Sequence, residues 1–424
     1  MIAAVLALLA ASRVLTLDDA LQTARQRQPQ LRQARANTLA AEARAGQAFS
    51  GLLPQLTATG TYLKTTANAI QNPGSPNIAG SGRGSTWDLF NSFSDNISLS
   101  QLVFDFGAQP NRWRAAKALA EGQAATERAT ALTVDFNLRS AYFLARANKA
   151  LVQVAKENLD NQLKHLAQTE GMVEAGTRAE IDLIQSRTDT ANARVQLITA
   201  ENNYQTSKLT LNNAMGVLGP TDYDIADGQF APVADEDAAL DALLEEAYKA
   251  RPEVQALEDQ VRFDQLTIRS IEAQYGPSLN ATLGFRQGGP AVDRLGWNAA
   301  AGLSLSWNIF QGGLTRSQQS EAEANAMSTL AQFDLLRQTV RTDVDGARLA
   351  LRAAKETVTA SQEALVNARE RRRLAEERYQ VGVGSAIELG DAQVALTQAA
   401  AQAVQADDQL STARAQLLRA VGRQ

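Results

Sequence analysis

Glu388 and Asp391 stand three residues apart, just past a glycine-rich break at Val381-Gly382-Val383-Gly384-Ser385. On a helix that spacing puts both carboxylates on one face. From the residues alone two readings stay open. One is a solvated pair. The other, if symmetry multiplies them, is a crowded acidic ring whose like charges raise one another's pKa and attract cations. Little else in the chain is equipped for chemistry. The single histidine, His165, is isolated and is read as a surface residue, so neither a triad nor a multi-histidine metal site is expected. With no cysteine there is no disulfide framework, thiolate metal site or cysteine nucleophile. Arg371-Arg372-Arg373 is read as a solvated helix face, and a net charge of −5 gives no pull toward nucleic acid. No enzyme, metal site or cofactor is expected.

The acidic pair must ride on a long helical hairpin. Between residues 314 and 381 there is one glycine, Gly346, and no proline. Val344, Leu351, Val358 and Leu365 recur every seven residues, with Ala347, Ala354, Ser361, Ala368 and Ala375 on a second seven-residue repeat three places later. Past the break the pattern resumes as Leu389, Leu396, Ala403, Leu410 and Leu417, with Ala392, Ala399, Ala406 and Ala413 between them. A strict seven-residue repeat implies a left-handed supercoil, and small seam residues let the helices approach closely. The two arms are read as antiparallel, with their tip near Gly382. An arm of about 65 residues would be ~100 Å long.

Four other segments alternate with period 2, the mark of a strand with one apolar and one polar face. Leu56, Ala58, Gly60 and Tyr62 oppose Thr57, Thr59 and Thr61, while Phe93, Ile97 and Leu99 oppose Ser94, Asn96, Ser98 and Ser100. Leu279, Ala281, Leu283 and Phe285 oppose Ser278, Asn280, Thr282 and Gly284, and Trp297 to Trp307 alternates in the same way. A soluble sandwich would pack the apolar faces together. A membrane barrel would turn them to lipid and line water with the small polar faces. The polar faces carry few charges, and the strands approach the ~9–11 residues that cross a bilayer, which favours the barrel. Tyr62, Trp87, Phe93, Phe285, Trp297 and Trp307 are then the candidates for interfacial aromatics. Four strands cannot close a barrel, for which about eight is the practical minimum, so the reading forces oligomerisation. No run is long enough for a membrane helix. Residues 1–12, apolar and ending in small residues, are read as the remnant of a signal peptide.

The whole pattern occurs twice. Leu99, Phe104, Gly107, Gly176, Ile181 and Leu183 correspond to Leu305, Phe310, Gly313, Gly382, Ile387 and Leu389 at an offset of 206. Ala24, Pro29 and Pro54 correspond to Ala247, Pro252 and Pro277 at an offset of 223. The difference of 17 falls in the first hairpin loop, roughly 66–86. The expected first repeat is 13–215, with strands at about 55–65 and 89–104 and a helical hairpin at about 111–215 whose tip is 174–178. Residues 216–240 are expected to be a linker or equatorial segment. The second repeat is 241–424, with strands at about 277–287 and 295–309 and a hairpin at about 314–421 whose tip is 381–385.

Over nearly its whole length the chain resembles the TolC family of outer-membrane efflux channels. The resemblance is carried by L-T-L-D-D-A-L at 15–21, L-P-Q-L at 53–56, L-S-Q-L-V-F-D-F-G at 99–107 and E-A-G-T-R-A-E-I-D-L at 174–183. W-N-I-F-Q-G-G at 307–313 and R-Y-Q-V-G-V-G-S-A-I-E-L at 378–389 complete it. It implies a mainly α fold with membrane β. Three copies would make a twelve-stranded barrel in the outer membrane of a Gram-negative bacterium, continuous with an α-helical tunnel across the periplasm and ringed by an equatorial belt. It implies a homotrimer that works with a periplasmic adaptor and an inner-membrane pump to pass drugs, metals or secreted polypeptide outward.

The resemblance also assigns a periplasmic gate. The family's acidic pair falls on Glu388 and Asp391, six and nine residues after Gly382. Its gate tyrosine falls on Tyr379 and the acidic partner on Asp182. The family's arginine two after the second tip glycine is absent, since Gly384 stands there; Arg178 holds the matching place in the first repeat. A Tyr379–Asp182 link, joined by Arg178, is the expected lock. The tips, Gly176 and Thr177 with Val381, Gly382, Val383 and Gly384, are the expected contacts for the adaptor. The competing reading is a soluble coiled-coil scaffold with a β-rich head.

Overall fold

In the computed structural model residues 13–66, 89–228 and 230–423 are described. Trp87, the segment 1–12 and all of the 66–86 loop beyond Thr66 lie outside them. Strand β1 (Arg13–Leu15) leads to helices α1 (Leu17–Arg27) and α2 (Pro29–Ser50), strands β2 (Gln55–Thr66) and β3 (Leu89–Phe104), and the long pair α3 (Ala108–Glu174) and α4 (Glu180–Met215). Strand β4 (Tyr223–Ile225) separates this series from its second running: α5 (Leu240–Ala250), α6 (Pro252–Glu272), β5 (Ser278–Gly289), β6 (Gly296–Ser306), α7 (Leu314–Gln380) and α8 (Ala386–Val421). Local chemistry sets the boundaries. The Thr16 hydroxyl accepts from the Asp19 N–H to start α1. Helix α3 begins at Ala108, ahead of the expected 111, because the Asp105 carboxylate caps the N–H groups of Gly107 and Gln109 at 3.0 and 2.6 Å.

Two compact units divide the chain: the stretch ending at Thr38, Ala124–Ala256 and the stretch from Gln332 form one, and Leu39–Gln123 with Leu257–Ala331 form the other. The first unit is helical and holds two matching cores. In one, Ala20, Ala24, Leu31, Val134, Leu138, Ala141, Leu211 and Met215 pack together. In the other, Leu243, Ala247, Val254, Val340, Val344, Ala347, Leu417 and Val421 occupy the same places at the 223 and 206 offsets. Gly216 and Gly422, again 206 apart, end α4 and α8 at φ of 70° and 85°. Each presses on another helix terminus, so that a Cβ would lie 2.7 Å from Gln28 Cα or 3.0 Å from Ala250 C.

Residues 216–240 carry a short strand. Tyr223–Ile225 pairs in parallel with Arg13–Leu15, and Ile225 is fully buried. Three-residue strands are too short to show alternation, which is why the pattern missed them. The Lys149 ammonium holds the same segment, donating to the Ile225 carbonyl at 2.7 Å and pairing with Asp224 and Asp227.

The second unit holds an antiparallel sheet in the order β2-β3-β5-β6. Tyr62 lies opposite Phe93, Ile97 opposite Phe285, and Phe285 opposite Ala299. Strand β6 ends at Ser306, short of the expected 309. Trp307 leaves the ladder, and its indole N–H donates to the Tyr275 carbonyl at 2.9 Å. A register shift between Leu102 and Phe104 bends β3 near the same end. Among the described residues no helix is long and apolar enough to cross a membrane.

Candidate functional site: the hairpin tips and the open sheet

The tips of both helical hairpins belong to the first unit. Helix α3 ends on Gly176 at φ 70°, where the Thr177 N–H and hydroxyl both donate to the Met172 carbonyl at 2.9 Å. Helix α7 ends on Gly382 at φ 78°, with the Val383 and Gly384 N–H groups donating to the Arg378 carbonyl. These left-handed closures satisfy the last carbonyls of each helix. Gly384 is buried in the second turn, and a Cβ there would lie 2.9 Å from Tyr379 N and 3.0 Å from Arg378 C. A side chain at this position would require the turn to shift.

Tyr379 joins the two hairpins. It is 1% exposed and packs with Ala375, Leu389, Ala392 and Met172. The Arg178 guanidinium lies 4.4 Å from its ring centroid, and the His165 ring meets it edge-on at 5.2 Å. Two expectations are corrected. The Tyr379 hydroxyl does not bond Asp182; it is buried with no hydrogen-bond partner among the described residues. Arg178 instead engages the ring face, an attraction of the cation to the negative face of the aromatic. His165 is not a surface residue: it is half-buried, its Nδ1 lacks a hydrogen-bond partner among the described residues, and burial lowers its pKa. The contact crosses more than 200 residues, so no local pattern could reveal it. Asp182 is half-buried in the first turn of α4.

The acidic pair opens α8. Ser385 caps this helix, accepting from the Glu388 N–H at 3.1 Å, and the Glu388 carboxylate lies 3.5 Å from Arg378 Nε. Asp391 is exposed one turn further on. Of the arginine run, Arg371 and Arg373 are exposed, whereas Arg372 is half-buried with its Nε unpaired. Val381, Val383 and Ile387, with Ile181 of the other tip, are at least 70% exposed, an unusual set of apolar side chains at helix ends.

Further along the hairpins the Arg146 guanidinium binds Asp407 and the Gly228 carbonyl. Beside it Asp408 is partly buried, and desolvation pushes its pKa up to about 6 against the opposing pull of Arg146. Sequence spacing carried no sign of this group, because its environment is assembled from separate helices.

The sheet of the second unit presents both faces and two edges. Tyr62 and Phe93 are 4.9 Å apart, and Phe285 and Trp297 stack at 6.2 Å. By register these four share one face and lie in adjacent rows near the hairpin ends. Trp307 stands at the opposite end. Trp297 to Trp307 spans ten residues, about 34 Å along a strand and about 25 Å at the tilt of a barrel, the height of an outward apolar band. Every residue of β6 is exposed, including Leu303 at 73% and Leu305 at 69%.

The description "outer membrane efflux protein" belongs to the family model that matches residues 20–217 and 243–423. The chain is 27% identical over 405 residues to the outer membrane protein TolC of Escherichia coli (strain K12), covering 88% of this chain and 76% of that protein. It is 25% identical over 277 residues to the solvent efflux pump outer membrane protein SrpC of Pseudomonas putida, covering 63% and 57%. In fold it is similar to the outer membrane protein VceC of Vibrio cholerae, with a TM-score of 0.82, 17% identity and 96% of each chain covered. It is also similar to the CmeC outer membrane channel of Campylobacter jejuni, with a TM-score of 0.83, 18% identity, and 96% and 85% covered.

Proposed function

Because the chain belongs to the outer membrane efflux protein family, we propose that it is the outer-membrane duct of a tripartite export machine, passive in itself and gated at its periplasmic end. The protein is an efflux channel of the outer membrane; the trimer, the direction of transport and the gate are the proposal. One observation carries it. The sheet is mainly apolar on one face, polar on the other, and among the described residues unpaired at both edges, β2 and β6. Joining the edges of three copies would satisfy those backbone groups and close twelve strands into a barrel, with lipid outside and water inside.

In this reading the helical hairpins form the periplasmic part of the channel. Arg178, set against the face of the Tyr379 ring, holds the tips closed, and Glu388 and Asp391 line the constriction, where three-fold symmetry gathers six carboxylates. The tips, Gly176–Thr177 and Val381–Gly384, receive the periplasmic adaptor through the exposed Val381 and Val383. Supporting this, the tips expose Val381 and Val383 while burying Tyr379 between the hairpins. A soluble scaffold would leave the Leu303, Leu305 and Trp297 face in water with no partner. Membrane fractionation and planar-bilayer recording test the proposal. A heat-modifiable trimer released only by detergent, forming discrete conductance steps, is expected. A protein that leaves the membrane fraction without detergent, and forms no channels, would refute it.

A further inference from the structure

The polar face of the sheet is nearly free of charge. By register it presents Thr57, Thr59 and Thr61 from β2, Ser92 through Ser100 at alternate positions from β3, Asn280 and Thr282 from β5, and Asn298, Ser304 and Ser306 from β6. Lys64 and Asp95 project from the opposite face. Among the described strand residues one charge remains on the polar face, Arg286. Its side chain is exposed and makes no ion pair or hydrogen bond among the described residues. The ladder sets its neighbours: Asn96 is its partner on β3 and Asn298 its partner on β6, with Thr59 opposite Asn96. Thr59, Asn96, Arg286 and Asn298 thus form one lateral row across all four strands.

We propose that this row is an anion-binding station in the lumen near the outer mouth, with Arg286 as its specificity-determining residue. The inference rests on the closed-barrel reading above. Arg286 lies eight residues along β5 from Ser278, so the station is about 20 Å above the start of the strand at the tilt of a barrel. Three-fold symmetry repeats the row around the wall. A twelve-stranded barrel has a radius of about 12 Å, which brings the three guanidinium groups within roughly 10–20 Å of one another. That separation is comparable to the Debye length of about 10 Å at 0.1 M salt and well beyond the 3 Å at 1 M. The three charges therefore act together on a passing ion in dilute salt and separately in concentrated salt. Each guanidinium offers five donors and no acceptor, and each flanking asparagine adds an amide that can donate. The set fits a multivalent oxyanion, such as a phosphate ester or polycarboxylate, better than any cation.

The test is planar-bilayer recording of the full-length trimer, wild type against Arg286→Gln and Arg286→Lys. Inositol hexakisphosphate is added to one side at a time, in 0.1 M and in 1 M KCl. Block is expected in the wild type at 0.1 M from the outer side only, weakened at 1 M, kept in R286K and lost in R286Q. The chloride-to-potassium permeability ratio should fall roughly threefold in R286Q. Wild-type channels that conduct normally but show the same block and selectivity as R286Q would overturn the station and leave the channel intact. A wild-type protein that forms no channels would overturn the closed barrel, and the station with it.

Discussion

Arg178→Ala should unlatch the hairpin tips without disturbing the helices that carry them. The change removes a cation 4.4 Å from the Tyr379 ring centroid. At a partly solvated site such a contact is worth about 1 kcal/mol. In the proposed trimer three clasps would be lost together, about 3 kcal/mol, and at 1.4 kcal/mol per decade that shifts the open-to-closed ratio roughly a hundredfold. Tyr379→Phe is the matched control. Its hydroxyl is buried without a partner among the described residues, so deleting it forfeits no hydrogen bond and relieves a desolvation cost of about 1 kcal/mol. Single-channel recording of purified trimers reads both. R178A should spend far more time in high-conductance states, and Y379F should stay as closed as the wild type. Arg178→Lys should fall between, since an ammonium keeps the charge but not the planar stacking of guanidinium. If Y379F opens the channel as widely as R178A, the hydroxyl is bonded in the closed trimer and the ring-face clasp is the wrong account.

Two further outcomes follow from groups away from the tips. Asp408 titrates near 6 in the folded chain, above the ~3.9 of an unfolded aspartate. The native state therefore holds that proton more tightly, and the ionised carboxylate costs stability above pH 6, a cost that fades as pH falls from 6 toward 4. Asp408→Asn should raise Tm at pH 8 by an amount corresponding to about 1–2 kcal/mol, discounted for partial solvation, with a gain that shrinks below pH 6. Gly216→Ala and Gly422→Ala should each cost about 2 kcal/mol in chemical denaturation, because left-handed backbone and close neighbours both exclude a methyl group. Gly171→Ala, in a helix with nothing within 4 Å of its Cβ position, is the control and should be neutral or stabilising.

The parts of this molecule legible in its sequence are those set by short-range repetition. Alternation at Leu56 to Tyr62 and at Leu279 to Phe285 lies within β2 and β5, because successive side chains of a strand point to opposite faces. The seven-residue spacing of Val344, Leu351 and Leu417 lies along a buried seam. Illegible were the contacts that need the third dimension. The resemblance puts Arg178 beside Tyr379, where it lies, but not against the ring face, and it gives no sign of the His165 ring. His165 looked solitary because its partner is far along the chain. The β1–β4 pair was too short to carry a period, and Asp408 became unusual only when helices closed around it.

The bare edges of the four-stranded sheet have a consequence for how the protein comes into being. Among the described residues a lone subunit has two unpaired rims, each a template for an extended peptide. In the proposed assembly its last folding step is therefore an encounter between molecules, and its speed depends on how many subunits are present at once. A short synthetic strand with the sequence of β6 would compete for the β2 rim and act as a terminator of assembly. The vulnerable moment of such a conduit is then the interval before it exists as a tube, when the edge that will later be a seam is still an open invitation.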